Sequence, residues 1–524
     1  MGRQLNRFLP AAVLAGLCAL VFFLRLHTYD EPLERDLTTY AVIAHEMLDG
    51  KALYSDLWDH KPPAIHVTYA AAESVAGYGR DSIFLMNMVG ALGILLAVYF
   101  AGCAAGGGKI GGLVAAGVWA LAAGDLALEG NQPNTELFLN LFLAAGFVVF
   151  IRAEKKGLGW KGALLAGCLF ALASLYKQVA AVPAALIAFT YLASARPDRR
   201  RRALAEAILV GAIGAMAWAL VCAYFFARGH GQAFFDAVFN YNRYYSGSIW
   251  RNLTHAPEWS SESLEQLAVL FPIGILCAAG IVLGLIFGPR RPWVFLLAFA
   301  AGAQVAVRLP GHAFPHYYQL WLPPLVIGAG WSVALLQRTL PVRLAPLSYG
   351  TAGVVCLVLL ALEWPCYKLP AADWSVKKYG GIFLETEQLA GRIDKLLAPG
   401  ESFYEWGSES GLYFTSGRQP LSGIVFADPV LSGPEAQNLC RRLLSELERS
   451  RPDLVVVNYS TLHQTAPGHP MLGWLQQNYR PLAEADLFLL LARKDSRLDP
   501  ERKSTADEAP DSPALARDPG NLRL

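Results

Sequence analysis

A carboxylate and a rigidly aimed ammonium make a base and a phosphate anchor, and the stretch from residue 34 to residue 63 holds both. Glu34 and Asp36 open it, and Asp36 begins an Asp-x-x-x-Tyr step ending at Tyr40. Trp58-Asp59-His60-Lys61-Pro62-Pro63 closes it. The two prolines fix φ and restrict the preceding residue to an extended backbone, which aims Lys61 in one direction and predicts a helix from about Pro63. An ammonium is a compact point charge that suits a lipid phosphate. Taken singly, each residue has a plainer role, with Asp36 as a helix cap and Lys61 snorkelling toward headgroups. Together in one loop, with Glu34, Tyr40, Asp59 and His60 around them, they favour chemistry.

Three further groups stand at the same kind of position, beside the ends of apolar runs. Glu129, Asn131, Asn134 and Glu136 follow the third run, with Thr135 and Glu136 at the start of the fourth. An acid there faces a polar cavity, or is favoured by the helix dipole; both readings fit. Lys177-Gln178 divides the apolar stretch from Gly162 to Thr190, as a turn marker or as a further phosphate ligand. The segment Arg308-Leu-Pro-Gly-His-Ala-Phe-Pro-His-Tyr-Tyr-Gln319 gathers Arg308, His312, His316, Tyr317 and Tyr318. Arginine grips phosphate and the rings shape a sugar or lipid groove, unless they form an ordinary aromatic belt. Pro315 between His312 and His316 argues against both on one helical face, and so against a metal pair. Gly106-Gly107-Gly108-Lys109 lacks the spacing of a phosphate-binding loop, and no nucleotide motif stands out.

The elements that must position these groups are set by composition. Of 524 residues, 54% are hydrophobic and 16% charged, against about 25% charged in an ordinary soluble domain. The formal charge of +2 gives no polyanion-binding character, and no nucleic-acid partner is expected. A membrane span needs about 20 mostly apolar residues. On that measure about eleven spans fall near 9–26, 83–102, 110–127, 136–152, 162–176, 179–194, 203–226, 266–288, 293–308, 319–336 and 344–362. The first run reads as an uncleaved helix, with a signal peptide as the alternative, because no small-residue cleavage site follows. Basic residues concentrate in alternate connections: Arg3 and Arg7; Lys109; Arg152, Lys155, Lys156 and Lys161; Arg196 and Arg199 to Arg202; Arg290 and Arg291; Arg338 and Arg343. That set marks the cytoplasmic side, which puts the N-terminus inside and the C-terminal part outside.

The expected fold is therefore mainly α, a polytopic helix bundle over 1–362 with two long outer loops, 27–81 and 228–266, each expected to contain helices lying in the interface. Tyr40, Ile43, Ala44 and Met47 recur at helical spacing, and Gly50 stops them. Residues 363–495 read as a small exterior α/β domain. Its helices are expected at 385–397 and 434–448, and its strands at 402–406, 412–415, 454–457 and 487–491. Residues 496–524 read as a disordered tail. Six of the eight cysteines fall in apolar runs and act as small hydrophobes; Cys366 and Cys440 fall in the exterior part, with no spacing that favours pairing.

Asp36-x-x-x-Tyr40, then Gly50 and Tyr54, then Asp59-His60-Lys61-Pro62-Pro63 resembles the first outer loop of the membrane glycosyltransferases of the GT-C class. The nearest groups are the aminoarabinose and galacturonic acid transferases of lipid A and lipopolysaccharide core, with the protein O-mannosyltransferases more distant. Phe314-Pro315-His316-Tyr317-Tyr318-Gln319 with Pro323 resembles their late outer motif, and Tyr404-Glu405-Trp406-Gly407 with residues 413–418 resembles the tail domain of bacterial members. The resemblance implies a bacterial inner-membrane enzyme with a polyprenyl-phosphate sugar as donor. Its acceptor is implied to be a glycolipid such as lipid A, another envelope glycan or a protein. It implies that Asp36 acts as general base or orients the acceptor, and that Lys61 holds the donor phosphate. Glu136 matches a second outer acid, often Asp in relatives, and Arg308, His316 and Tyr317 are implied donor contacts. Relatives often carry Asp-Glu where this chain has Asp36-Leu37, which bears on a divalent metal ion, the one candidate cofactor. Two rival readings are a transporter or flippase of lipid-linked sugar, which needs charged or broken helices at mid-membrane, and a receptor, which leaves Asp36 and Lys61 unexplained.

Overall fold

The computed structural model describes residues 2–153, 157–255 and 267–502. Lys155, Lys156, the end of the second outer loop and the tail from residue 503 lie outside the described residues. Each of the eleven expected segments contains a helix over most of its described length. Among the described residues eight helices are long and apolar enough to cross a membrane, and Gly108–Ala122 and Gln178–Ala193 are shorter apolar helices. The expected segment 293–308 is the helix Arg290–Arg308, and the segment 110–127 stops being helical at Ala122. The surface of these helices is itself informative. Ile208, Met216, Leu220 and Phe226 on the helix Arg200–Ala227 are all more than half exposed. An apolar face of that extent is compatible with lipid rather than water.

The chain forms two compact units. The larger comprises Met1–Glu31, Lys61–Gly231 and Ser246–Trp374; the smaller comprises Pro32–His60, Gln232–Tyr245 and Ser375–Leu524. Lipid offers no hydrophobic drive between helices, so the larger unit is held by close packing of small residues. The helices Gly108–Ala122 and Leu322–Thr339 approach so closely at Gly111 and Gly330 that a Cβ on Gly330 would collide with the Gly111 carbonyl oxygen. On the other side of Leu322–Thr339, the Ser332 hydroxyl donates to the carbonyls of Leu276 (2.9 Å) and Gly328 (2.7 Å).

The smaller unit is built on a four-stranded sheet in the order β1-β2-β4-β3, where β1 is Phe403–Trp406, β2 Leu454–Asn458, β3 Tyr479–Ala485 and β4 Phe488–Arg493. β1 and β2 run parallel, and the other pairs are antiparallel. Both central strands are continuous apolar runs, as sheets covered on both faces require. The helix expected after Asp36 is Arg35–Leu48, with Tyr40, Ile43 and Ala44 buried. It is enclosed along most of its length, including Thr38, Thr39 and Glu46, and packs against the short helix Gly411–Ser416. That second helix corrects the strand expected at 412–415. The amides of Leu412 and Tyr413 donate to the carbonyls of Glu409 (2.9 Å) and Ser410 (3.0 Å), and Gly417 ends the turn at φ +66°. A four-residue apolar run has no period that separates one helical turn from a strand.

The expected helices at 385–397 and 434–448 are Ile382–Leu396 and Ala436–Ser450. β3 was not expected, since Pro481 interrupts its pattern; it lies at the sheet edge, where a missing N–H is tolerated. The chain stays packed beyond Ser496, with Leu498 fully buried and Arg480 paired to Asp499 at 3.0 Å. None of the eight cysteines, Cys366 and Cys440 included, forms a disulfide.

Gly330→Ala is expected to cost about 1–3 kcal/mol through overpacking. It should lower the thermal unfolding midpoint of the detergent-solubilised protein. Gly353→Ala, where an added Cβ meets open space, should leave the midpoint unchanged.

Candidate active site

The larger unit concentrates its polar chemistry where three chain breaks meet. The helix Thr135–Arg152 begins there, capped by Asn134, whose side chain accepts the Thr135 amide at 2.7 Å. That cap places Glu136 in the first turn, fully buried. The helix Gly159–Tyr176 ends there, and Lys177 continues it in extended backbone, φ −157° and ψ 125°. The tight turn Pro315–Trp321 presents His316 and Tyr317, with proline at its first position.

These three pieces supply one buried charge cluster. Lys177 Nζ lies 2.7 Å from Glu136 Oε1, and the Thr135 hydroxyl donates to Glu136 Oε2 at 2.7 Å. The same ammonium sits 3.4 Å from the Tyr317 ring centroid, a close cation–π contact. His316 Nδ1 is 2.8 Å from Glu129 Oε2. Gln319 Nε2 donates to the carbonyls of Leu128 (3.0 Å) and Glu129 (3.2 Å), and Asn140 Nδ2 donates to the Gln319 carbonyl at 3.0 Å. Glu129 holds φ +53°, a left-handed backbone that costs a non-glycine residue about 1–3 kcal/mol. Lys61, buried at the head of its segment, adds its field to that at the Glu136 carboxylate. Glu136, Lys177, His316, Tyr317 and Glu129 therefore lie together, with Lys61 near enough for its charge to act on Glu136. Arg308 is engaged elsewhere. Its guanidinium donates to the Asn252 carbonyl at 3.0 and 2.8 Å and to the His255 carbonyl, which ties down the segment 249–255.

In the smaller unit, Asp36 occupies the first turn of Arg35–Leu48, half-buried, and its Oδ2 accepts the Tyr40 hydroxyl at 3.1 Å. Glu34 is buried at the N-cap position, where its backbone carbonyl accepts the Thr38 amide at 3.2 Å. Asp59 is buried; its Oδ1 accepts the His60 amide at 2.6 Å and lies 3.4 Å from His60 Nδ1. The His60 ring sits among Trp58, Tyr241 and Tyr245, and Asn242 Nδ2 donates to the His60 carbonyl at 2.6 Å. Asp59 and His60 thus order the end of this loop. Among the described residues no three His, Cys, Asp or Glu side chains converge to hold a metal ion, and no step below is routed through one.

A second polar network beside Asp36 escaped the sequence reading. Arg35 Nη2 pairs with the buried Glu409 Oε1 at 2.6 Å, and the Glu409 amide donates to Glu405 Oε1 at 3.2 Å. The hydroxyls of Thr38 and Thr39 meet Ser410 Oγ at 2.9 and 2.8 Å. Glu405 was visible only as part of a resembling motif, since one acid inside an apolar strand gives no pattern of its own. Burial, reinforced by the Glu409 carboxylate, holds the Glu405 carboxyl well above its usual 4.5.

Two predictions follow from these charges. Lys177→Met leaves Glu136 buried without its counter-ion and should destabilise the protein by about 3–5 kcal/mol. The double change Lys177→Met/Glu136→Gln should recover most of that loss in thermal unfolding. Glu405 stays neutral in the folded state where the unfolded chain ionises, so the unfolded state binds fewer protons above the usual carboxylate range. Stability should then fall as pH rises toward the raised value, by at most about 1.4 kcal/mol per pH unit. Glu405→Gln should flatten the dependence of the unfolding midpoint as pH rises above the ordinary carboxylate range of about 4–5; equal slopes in the two proteins would exclude this account.

No protein-family model matches the sequence, and no curated protein matches it at a significant level. Solved structures do match. The structure of ArnT from Cupriavidus metallidurans bound to undecaprenyl phosphate aligns over 93% of this chain and 98% of its own, with TM-score 0.62 and 16% identity. The oligosaccharyltransferase of Archaeoglobus fulgidus, tethered to an acceptor peptide, aligns over 94% of this chain and 75% of its own, with TM-score 0.57 and 13% identity. The mycobacterial arabinofuranosyltransferase AftD aligns over 92% of this chain and 40% of its own, with TM-score 0.51 and 13% identity. At such identities the likeness speaks for the fold, and the fold of this chain is that of the GT-C membrane glycosyltransferases.

Proposed function

We propose that this multi-pass membrane protein is a glycosyltransferase that moves a sugar from a polyprenyl-phosphate donor to an acceptor at the outer face of a bacterial inner membrane. The acceptor class is a glycolipid such as lipid A or lipopolysaccharide core, another envelope glycan, or a protein hydroxyl. The observation that carries the reading is the buried cluster of Lys177, Glu136, Tyr317, His316 and Glu129, with Lys61 in its field, inside a GT-C fold. An anionic headgroup is the ligand that such ammonium groups serve. Structures of the same fold are described with undecaprenyl phosphate and with a dolichol-phosphate, which supports a lipid phosphate as the donor's anchor.

In this reading Asp36 takes the proton of the acceptor hydroxyl, whose oxygen attacks the anomeric carbon of the donor. The bond from that carbon to the phosphate oxygen breaks, and the polyprenyl phosphate leaves with an added negative charge. Lys61 and Lys177 stabilise that charge, and Glu136 holds Lys177 in place until the phosphate arrives. Direct attack with one base and no nucleophile pair inverts the anomeric centre.

The test is to incubate purified protein in nanodiscs with a panel of polyprenyl-phosphate sugars and follow polyprenyl phosphate release. Asp36→Asn and Lys61→Ala should each lower the release rate by about 10²-fold or more while expression and unfolding midpoint hold. Wild-type release that persists in both variants would overturn the assigned roles.

A further inference from the structure

A second concentration of charge in the larger unit takes no part in the cluster above. Around the break between the helices Ala181–Ala193 and Arg200–Ala227 opens a cavity of about 460 Å³, lined by Arg196, Arg199, Arg202 and Arg291. The first three belong to the connection and to the first turn of the following helix; Arg291 belongs to the first turn of Arg290–Arg308. The cavity is therefore bounded by the ends of three helices. Among the described residues its one lining carboxylate is Glu206, which is used by the fold. It accepts the amides of Leu158 (3.2 Å) and Gly159 (2.8 Å), the Tyr191 hydroxyl and Arg202 Nε (2.9 Å). Asp198, largely exposed, lies 3.9 Å from Arg199.

Among the described residues, four guanidinium groups and these two acids gather around one space. A basic connection that only sets topology needs the charge and not the cavity. Here arginines nearly ninety residues apart in sequence enclose it. The guanidinium fork matches phosphate oxygens two at a time, and basic pockets between membrane helices on the side of the basic connections take anionic lipid headgroups. The flanking surface agrees. Leu204 and Ile208, on the helix that carries Arg202, are exposed at 45% and 61%, and Trp160, beside Gly159, at 65%. Such side chains on a spanning helix face acyl chains.

We propose that this pocket binds a phosphate-bearing anion, supplied by the headgroup of an anionic phospholipid in the leaflet on the side of the basic connections. The site is separate from the proposed donor site, so it stands or falls independently of the transfer reaction.

The experiment is native mass spectrometry of delipidated full-length protein given phosphatidylglycerol or phosphatidylcholine, with inorganic phosphate as a third arm. The comparison variants are Arg196→Gln/Arg199→Gln/Arg291→Gln and, as a charge-matched control, Lys109→Gln/Arg338→Gln/Arg343→Gln. Wild type and control should retain phosphatidylglycerol over phosphatidylcholine, and the pocket variant should bind it about tenfold more weakly or worse. Bound phosphatidylglycerol that millimolar inorganic phosphate leaves in place identifies the lipid as the source. Displacement by phosphate, with equal thermal protection from phosphate alone, keeps the phosphate chemistry and assigns the pocket to the free anion. The proposal is overturned if wild type does not discriminate between the two lipids, or if pocket and control variants lose binding equally. Should the triple variant fail to fold, the single change Arg199→Gln, at a half-exposed side chain, carries the same comparison.

Discussion

A lysine and a glutamate buried together inside a membrane protein set the terms for everything around them. Removing two charges from water costs several kcal/mol per ion, which attraction repays only at short range and with the remaining lone pairs satisfied. The Lys177–Glu136 pair meets both conditions: 2.7 Å between charged atoms, a hydroxyl on the second carboxylate oxygen, and an aromatic face under the ammonium. Those conditions fix the backbone. The lysine must leave its helix in extended conformation, the glutamate must stand in a capped first turn, and the tyrosine must come from a tight turn rather than a regular helix. Each device is local, and each exists because the pair admits no slack.

The rest of the larger unit answers a different constraint. Lipid removes the hydrophobic drive between helices but keeps the demand that every backbone group be bonded within the protein. Close approach of small residues and hydroxyl-to-carbonyl bonds, as at Gly330 and Ser332, then do the holding. The smaller unit is governed by water, and it shows the ordinary solution of an apolar two-strand centre covered by amphipathic helices. Glu405 is its one expensive feature, a carboxyl kept neutral behind the Arg35–Glu409 pair.

How much of this could be read beforehand follows from which of these forces leaves a periodic or positional trace. Apolar runs of span length are visible, so the helical segments and the C-terminal α/β region were legible, as was the helix after Asp36. Residues set against type also stand out: Lys177 between two apolar runs and Glu136 at the mouth of another both proved to be partners in one cluster. Short elements were not legible, because four to six residues carry no period; Gly411–Ser416 and β3 are the examples. Partnerships across long sequence separation were not legible either. Nothing in the sequence pairs Arg35 with Glu409, and nothing ties Arg308 to the carbonyls of Asn252 and His255.

The departure at Asp36-Leu37 gains meaning from the structure. Leu37 has no exposed surface, so its side chain belongs to the interior of the smaller unit. A carboxylate there would be desolvated among apolar neighbours and would cost free energy unless it were paired. In this chain the position beside Asp36 thus serves packing, and Asp36 accepts the Tyr40 hydroxyl. Under the proposed reaction, the groups that would offset the charge of the departing phosphate are the chain's own ammonium ions. Two of them, Lys61 and Lys177, act on the same buried carboxylate. A carboxylate that already pairs with Lys177 holds that ammonium in place before a substrate binds. Under the proposed reaction, an arriving phosphate would exchange one anionic partner of Lys177 for another, rather than ordering a long side chain from scratch.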